Sequence, residues 1–156
     1  MRIAVGTDHG GFRLKGALIA RLKAARHRVA DLGADSPEPC DYPRIGAEVA
    51  WAVSSGKARR GLLLCKSGAG MAIVANKFPR VRAAVCQTSQ LARHAREHND
   101  ANILVLGAEG LNLRRAKEIL SAWLSTPFSG GRHARRVRQI RKIEKQIQKG
   151  SGRPGT

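Results

Sequence analysis

The sequence predicts an α/β fold, a single-domain, doubly wound sheet of five parallel strands with helices on both faces and a further helix at the C-terminus. Three observations predict it. Five short apolar runs recur along the chain, helical patterns separate them, and 156 residues with 42% hydrophobic content fit one compact domain. A chain of this length buries about 70% of its unfolded surface, which is enough for one core and leaves no room for a second full domain.

The five predicted strands are short and rich in Val, Ile and Leu. They cover residues 3–6, 29–32, 61–65, 81–86 and 103–106. Apolar runs of this kind are typical of parallel strands buried on both faces. Right-handed crossover connections between these strands give an open, Rossmann-like sheet. The ligand crevice of such a sheet lies at the carboxyl ends of the strands.

Helical periodicity fills the gaps between these runs. The predicted helices cover, in chain order, residues 12–26, 45–53, 89–97 and 113–124. Thr88 or Ser89 can cap the third helix, and the fourth ends before Pro127. Each carries its apolar residues on one stripe, so each is expected to pack against the sheet.

A last helical pattern follows the turn-like residues 129–131. Its apolar residues recur every three or four positions at Val137, Ile140, Ile143 and Ile147. Such a stripe must be covered, either by a partner subunit or by the core of its own chain. The domain is expected to span residues 1–148, including this basic helix, and residues 149–156 are expected to form a disordered tail.

Charge and composition disfavour several classes of function. The formal charge is +18, but the nine Lys and Arg residues from Arg132 onward face one acid, and aromatic residues make up 4% of the chain. A solvated basic helix at the C-terminus explains the charge. Few aromatic side chains are available to stack on nucleic-acid bases, so nucleic acid is disfavoured as a partner. Three cysteines without metal-type spacing and no membrane-length apolar run predict a cytoplasmic protein without metal or disulfides.

Polar clusters follow the predicted strands, where such folds collect function. The clusters are Asp8 and His9 after the first strand, Asp41 and Tyr42 after the second, residues 65–70 after the third, residues 98–100 after the fourth crossover, and Arg132 with Arg136 before the last helix. The two arginines lie one helical turn apart. These residues are the candidates for a shared site.

The cluster after the third strand carries the most chemistry. Residues 65–70 read Cys-Lys-Ser-Gly-Ala-Gly and lead from a strand into a helical segment, so their backbone N–H groups can hold a phosphate or an enediolate oxygen. The order of residues fits neither the nucleotide P-loop nor the dinucleotide fingerprint, so no cofactor is expected. A thiolate at Cys65 would be stabilised there and could act as a base or nucleophile. Cys65 could equally be a small buried residue that ends a strand.

Each candidate also has an ordinary structural interpretation. Loop histidines such as His9 and His98 are often solvated, and Asp8 and Asn99 could be turn or capping residues. Tyr42 could pack against apolar neighbours, and Arg132 and Arg136 could form a charged helix face. Cys40 and Cys86 are interpreted as structural. The convergence of polar groups after several strands favours a functional site.

The clusters together resemble the type B ribose-5-phosphate isomerases. The motifs that carry the resemblance are GTDHGG at residues 6–11, DYP at 41–43, CKSGAGM at 65–71, ANK at 75–77, HNDAN at 98–102 and GGRH at 130–133. They stand in register over residues 1–148. The family includes isomerases of allose 6-phosphate, galactose 6-phosphate and tetrulose phosphates, which are the nearest alternatives to ribose 5-phosphate.

The resemblance implies a proton-transfer mechanism without metal or cofactor. Cys65 would remove the proton from the carbon beside the carbonyl and return it to the neighbouring carbon through a cis-enediolate, while Ser67 moves the hydroxyl proton. The oxyanion would be stabilised by the loop amides of Lys66, Ser67, Gly68, Ala69 and Gly70. A base beside preorganised donors is what abstraction of a proton alpha to a carbonyl requires.

The resemblance also implies how the substrate is held. His98 would open the sugar ring with Asp8 beside it. The phosphate would be bound by His9, Arg132 and Arg136, and the sugar by Tyr42 and Asn99. The resemblance implies a homodimer, in some cases paired into a tetramer. In this dimer the partner chain supplies His98 and Asn99 to each site. A basic, non-catalytic module that binds sugar phosphate or RNA is the alternative of another class.

Two positions depart from the family pattern. Lys66 stands where many relatives carry glycine, and it adds positive charge to the loop. Glu109 stands where relatives often carry an arginine that reaches the phosphate. A carboxylate there would repel phosphate, so either the basic tail compensates, the loop turns Glu109 away, or the substrate differs in length and places its phosphate elsewhere.

Overall fold

Strands and helices alternate along the chain in the computed structural model, which describes residues 1–150. The elements are β1 (Arg2–Thr7), α1 (Phe12–Ala24), β2 (Arg28–Asp31), α2 (Tyr42–Ser54), β3 (Arg60–Cys65), α3 (Ala69–Ala75), β4 (Ala83–Val85), α4 (Ser89–Asn99), β5 (Ile103–Gly107), α5 (Leu113–Ser125) and α6 (Gly131–Gln148). The predicted α/β class and element order are confirmed. Of the expected tail, residues 151–156 lie outside the described residues.

The five strands form one parallel sheet in the order β2-β1-β3-β5-β4. The chain moves outward in one direction from β1 to β2 and in the other direction from β3, so the topological switch point lies between β1 and β3. Ligands in such sheets bind outside the carboxyl ends of the strands at this point. Asp8 follows β1 and Cys65 ends β3, so the topology places both residues there.

β4 is shorter than the predicted strand over residues 81–86. It covers three residues and pairs with β5 alone, because it lies at the edge of the sheet. An edge strand has ladder hydrogen bonds on one side only, so its ends leave the ladder more readily than those of a central strand.

A hydrophobic core lies on each face of the sheet. Leu14, Leu18 and Leu22 of α1 pack with apolar residues of α4 and α5 on one face. Val49 and Met71, from α2 and α3, are fully buried on the other. The two cores hold the strands rigidly from both sides, which fixes the positions of the loops at their ends.

α6 crosses the amino-terminal edge of the sheet. Its first turn stacks His133 on His98 at the end of α4, and the Arg80 N–H, just before β4, donates to Glu144 Oε1 over 2.6 Å. Of its apolar stripe, Val137 is buried at 4% exposure, whereas Ile140, Ile143 and Ile147 remain 42–66% exposed. The chain's own core therefore covers only part of the stripe. Within residues 1–150, no helix is both long and apolar enough to cross a membrane.

Candidate active site

Asp8 and His9 form the start of the candidate site, in the loop after β1. Asp8 is buried, and its Oδ1 accepts from the N–H groups of Gly10 (2.9 Å) and Gly11 (3.3 Å), so the carboxylate also shapes the turn. His9 is exposed, and its Nδ1 accepts from the Cys40 N–H over 3.1 Å. A neutral imidazole that accepts at Nδ1 carries its proton on Nε2. His9 therefore presents a donor to solvent at this edge.

Cys65 ends β3 inside a loop that supplies backbone amides. Its side chain is 5% exposed, and the Gly68 N–H donates to Sγ over 3.1 Å. Gly68 has φ 83°, a left-handed conformation that glycine adopts without a steric cost. Ser67 is exposed and its Oγ accepts from the Ala69 N–H over 3.3 Å. α3, which has seven residues, begins at this loop, and the loop amides add positive partial charge beside the sulfur.

Glycines allow the neighbouring loops to approach this sulfur. A Cβ on Gly10 would lie 2.9 Å from the backbone nitrogen of Lys66, and a Cβ on Gly70 would lie 2.6 Å from the Tyr42 ring. Side chains at these glycines would therefore clash with their neighbours. The contacts bring the loops after β1 and β2 against the loop that carries Cys65.

The end of β5 completes the same surface. A Cβ on Gly107 would lie 2.6 Å from the carbonyl oxygen of Ser67, and the Glu109 N–H donates to the Lys66 carbonyl over 3.0 Å. The side chains of Lys66 and Glu109 pair at 3.7 Å, with 77% and 69% of their surfaces exposed. We call the loops after β1, β2, β3 and β5, with the first residues of α2 and α3, the carboxyl edge. It holds Asp8, His9, Tyr42 and residues 65–70 of the predicted site.

His98 and Asn99 lie elsewhere, which corrects the expectation that they occupy a loop at a strand end. The helix predicted to stop near Glu97 continues as α4 to Asn99, so both residues belong to its last turn. A helix that precedes a parallel strand ends at the amino-terminal edge of the sheet. In the register of β3 with β5, Gly61 pairs with Ile103 and Cys65 pairs with Gly107, so the two edges are separated by roughly 13 Å of strand.

Asp100 fixes the end of α4. It adopts a left-handed conformation with φ 47°, and its carboxylate accepts from Arg96 Nη1 (2.8 Å) and Arg82 Nη2 (2.9 Å). The Arg82 guanidinium also donates to the backbone carbonyls of Asn99 and Asp100. Two arginines thus hold the backbone that carries His98 and Asn99.

Arg132 and Arg136 also lie away from Cys65, and they belong to α6 rather than to a segment before it. The expectation that they precede the last helix is wrong, since the helix begins directly after Gly130. Both arginines are exposed. We call the last turn of α4 with the first two turns of α6 the amino edge. It brings His98, Asn99, Arg132 and Arg136 together.

Comparison with known proteins identifies the family. The Ribose/Galactose Isomerase family matches residues 3–140. The chain belongs to this family. Ribose-5-phosphate isomerase B of Escherichia coli K12 is 43% identical over 145 residues, which cover 93% of this chain and 97% of the relative. D-erythrulose-4-phosphate isomerase of Pectobacterium atrosepticum is 39% identical, with 94% and 97% covered.

Solved structures of the family share the fold. Ribose-5-phosphate isomerase B of Clostridium thermocellum superposes with a TM-score of 0.91 at 48% identity, covering 94% of this chain and 99% of that one. The Mycoplasma genitalium ribose-5-phosphate isomerase B with bound ribulose-5-phosphate gives a TM-score of 0.90 at 33% identity, with 93% and 97% covered. The chain is therefore an isomerase with the architecture of the ribose/galactose isomerases.

The other cysteines of this family member differ from Cys65 in their surroundings. Burial alone raises the pKa of the Cys86 thiol to about 11, which keeps it protonated at neutral pH. Cys40 is partly exposed, and its N–H is bonded to His9. Within residues 1–150 the three thiols are unpaired, and no group of three His, Cys, Asp or Glu side chains could hold a metal ion.

No role was predicted for two histidines at or beside the amino edge. The rings of His94 and His133 both stack on that of His98, with centroids 5.1 and 4.3 Å away. His94 could have been found, because it lies four residues before His98 and so on the same helical face. Nothing in the sequence pattern relates His133 to α4, since their contact depends on the path of α6.

Proposed function

We propose that this protein interconverts ribose 5-phosphate and ribulose 5-phosphate, as part of pentose phosphate metabolism in the cytoplasm. An isomerase of another aldose phosphate of four to six carbons is the nearest alternative. The observation that carries the proposal is the Gly68 N–H bonded to Cys65 Sγ at the switch point of the sheet. An N–H donor favours the thiolate over the thiol, and a thiolate is the form that accepts a proton.

Cys65 acts as the base in this mechanism. Its thiolate takes the proton from C2 of the open-chain aldose, the C2–H electrons form the C1–C2 double bond, and the aldehyde oxygen becomes the oxyanion of a cis-enediolate. The loop amides stabilise that oxyanion, and the exposed Ser67 hydroxyl relays the hydroxyl proton between the two oxygens. Return of the proton from Cys65 to C1 gives the ketose.

The remaining residues bind the substrate and open its ring. His98 exchanges the proton of the ring oxygen and the C1 hydroxyl, with Asp8 beside it. His9 presents its Nε2 donor to the phosphate, and Arg132 and Arg136 bind it with guanidinium forks, which match phosphate oxygens. Tyr42 and Asn99 contact the sugar.

A homodimer with two shared sites follows from the separation of the edges. With bonds of about 1.5 Å, a five-carbon sugar phosphate is roughly 8 Å long, shorter than the strand length between the two edges of one chain. A twofold axis that sets the amino edge of one chain against the carboxyl edge of its partner assembles two complete sites. The exposed Ile140, Ile143 and Ile147 of α6 offer apolar surface for this contact. Two such dimers could pair into a tetramer.

The decisive test is isomerase activity of the purified protein, without metal or nucleotide, on aldose phosphates of four, five and six carbons. Cys65→Ala is expected to reduce turnover by on the order of 10³-fold or more, because it removes the base and little volume. Cys86→Ala is the matched control. It removes the same thiol from a buried position outside the site, so it should lower thermal stability but not turnover.

The outcomes separate the candidate functions. Ribose 5-phosphate turnover that disappears only in Cys65→Ala supports the proposal, and turnover of another sugar alone transfers the proposal to that sugar. Wild-type turnover in a folded Cys65→Ala variant would refute the mechanism. No turnover on any sugar, with binding of sugar phosphate or RNA that falls steeply with salt, would favour the non-catalytic module.

A further inference from the structure

Three imidazole rings form a column at the amino edge. His98 lies in the middle, with its ring centroid 5.1 Å from His94 at an interplanar angle of 17° and 4.3 Å from His133 at 10°. His94 and His98 are one turn apart on α4, whereas His133 comes from the first turn of α6. Two nearly parallel rings, one from each helix, therefore pack against the His98 ring, and the closer of the two is His133.

His133 is the better anchored of the two flanking rings. Its residue is 9% exposed, whereas His94 is exposed. The His133 N–H donates to the Gly130 carbonyl over 3.0 Å, and the Ser129 N–H donates to the Glu97 carbonyl over 3.1 Å. The start of α6 is thus joined to the end of α4, and the His133 ring is a fixed surface against which His98 rests.

The charges around His133 suit this arrangement. Burial, together with the charges of His98, Arg132 and Arg136, lowers the pKa of the His133 imidazole, and only Glu97 opposes this. The lowered pKa favours the neutral form of the His133 ring. A neutral ring can stack on His98 whether His98 is neutral or protonated, whereas two stacked imidazolium rings would repel each other. His98 can gain and lose a proton without losing this contact.

We propose that His133 is a positioning residue, whose buried ring holds the His98 imidazole in the plane required to open the sugar ring. The inference rests on the proposed role of His98 and extends it to a residue that acts through its contact with the His98 ring. Without the His133 ring, His98 would gain rotameric freedom on one face. Displacement of a proton-transfer group by about 1 Å can reduce a rate by on the order of 100-fold.

A substrate that has no ring isolates this step. Ribose 5-phosphate is mostly cyclic, but D-erythrose 4-phosphate cannot form a five-membered ring, because its C4 hydroxyl carries the phosphate. In His133→Ala, kcat/KM for ribose 5-phosphate is expected to fall on the order of 10- to 100-fold relative to wild type. The value for D-erythrose 4-phosphate should change by less than about twofold, since proton abstraction by Cys65 does not depend on His98. His133→Phe keeps a flat ring and should restore most of the ribose 5-phosphate activity.

Enzyme concentration gives a second readout, which needs only ribose 5-phosphate. Wild-type rates should rise in proportion to enzyme. Rates of His98→Asn should level off at the spontaneous rate of ring opening, whereas rates of His133→Ala should rise above that level with a slope on the order of 10- to 100-fold below wild type, because its displaced His98 still opens the ring. Equal losses on both sugars, a wild-type slope for His133→Ala, or no rescue by His133→Phe would refute the positioning role while leaving the isomerase proposal intact. An inactive wild-type protein would instead refute the proposed function itself.

Discussion

The two edges of the sheet carry different kinds of groups. The carboxyl edge surrounds Cys65 with backbone N–H donors, close glycine contacts and the hydrogen-bonded Asp8 carboxylate. The amino edge presents side chains from helix turns, among them the exposed Arg132 and Arg136. Fixed backbone dipoles suit an oxyanion that forms during reaction, whereas guanidinium forks suit a phosphate that is already charged. The fold thus places the backbone donors around Cys65 and the exposed arginines of α6 on opposite edges of one sheet, and the proposed homodimer would bring one edge of each kind together.

The largest effect that tests this comparison is complementation between inactive variants. Cys65→Ala disables the carboxyl edge, and His98→Asn disables the amino edge. When equal amounts are unfolded and refolded together, random pairing leaves about one quarter of the sites with both edges intact. Each variant alone should have ribose 5-phosphate activity on the order of 10²-fold or more below wild type. The refolded mixture should recover to about a quarter of the wild-type activity.

The control mixture combines Cys65→Ala with Ser67→Ala. Both substitutions lie on the carboxyl edge, so no mixed dimer would contain an intact site and activity should stay low. No recovery in the test mixture, although mixed dimers are detected by mass spectrometry, would show that each site is built within one chain. Recovery in the control would show that the regained activity does not come from pairing a carboxyl edge with an amino edge.

The sequence was sufficient to predict the carboxyl edge. The apolar runs predicted β1 and β3, and residues that directly follow parallel strands must share an edge, so Asp8 and Cys65 could be placed together before any coordinates. The glycines at positions 10 and 70 were visible as well, although their contacts with Lys66 and Tyr42 depend on tertiary packing. Local pattern and topology agree here, and prediction succeeds for that reason.

The amino edge could not be predicted in the same way. α4 continues two residues beyond its predicted end, so His98 and Asn99 lie in this helix and not in the expected loop. The end of α4 is set by Asp100 and the two arginines that bind it, and hydrophobic periodicity does not reveal it. The path of α6 depends on distant contacts such as that of Arg80 with Glu144. Long-range side-chain contacts of this kind leave no periodic signal in a sequence.

A smaller effect is expected from the arginines of α6. Arg136→Ala should raise KM for ribose 5-phosphate by roughly 10- to 100-fold with little change in kcat, because loss of a charged hydrogen bond costs about 1.5–3 kcal/mol. Arg138→Ala is the matched control, since it removes the same charge from an exposed position on the same helix. If both variants raise KM equally, the helix acts through its overall charge. An unchanged KM in Arg136→Ala excludes Arg136 from the phosphate site.

The smallest effect concerns the ion pair between Lys66 and Glu109 at the carboxyl edge. The two residues are distant in sequence, but the register that pairs Cys65 with Gly107 brings them within 3.7 Å. In this pair the charge of Lys66 and the charge of Glu109 offset each other near the bound phosphate.

Lys66→Gln should therefore raise KM, Glu109→Gln should lower it, and the double variant should have a KM near that of the wild type. Because both side chains are mostly exposed, each single effect should stay below about 1 kcal/mol, a change of up to roughly fivefold in KM, and should shrink as salt is raised. KM of the two single variants and the double variant at low and high salt tests this, and single variants that change KM in the same direction would contradict it.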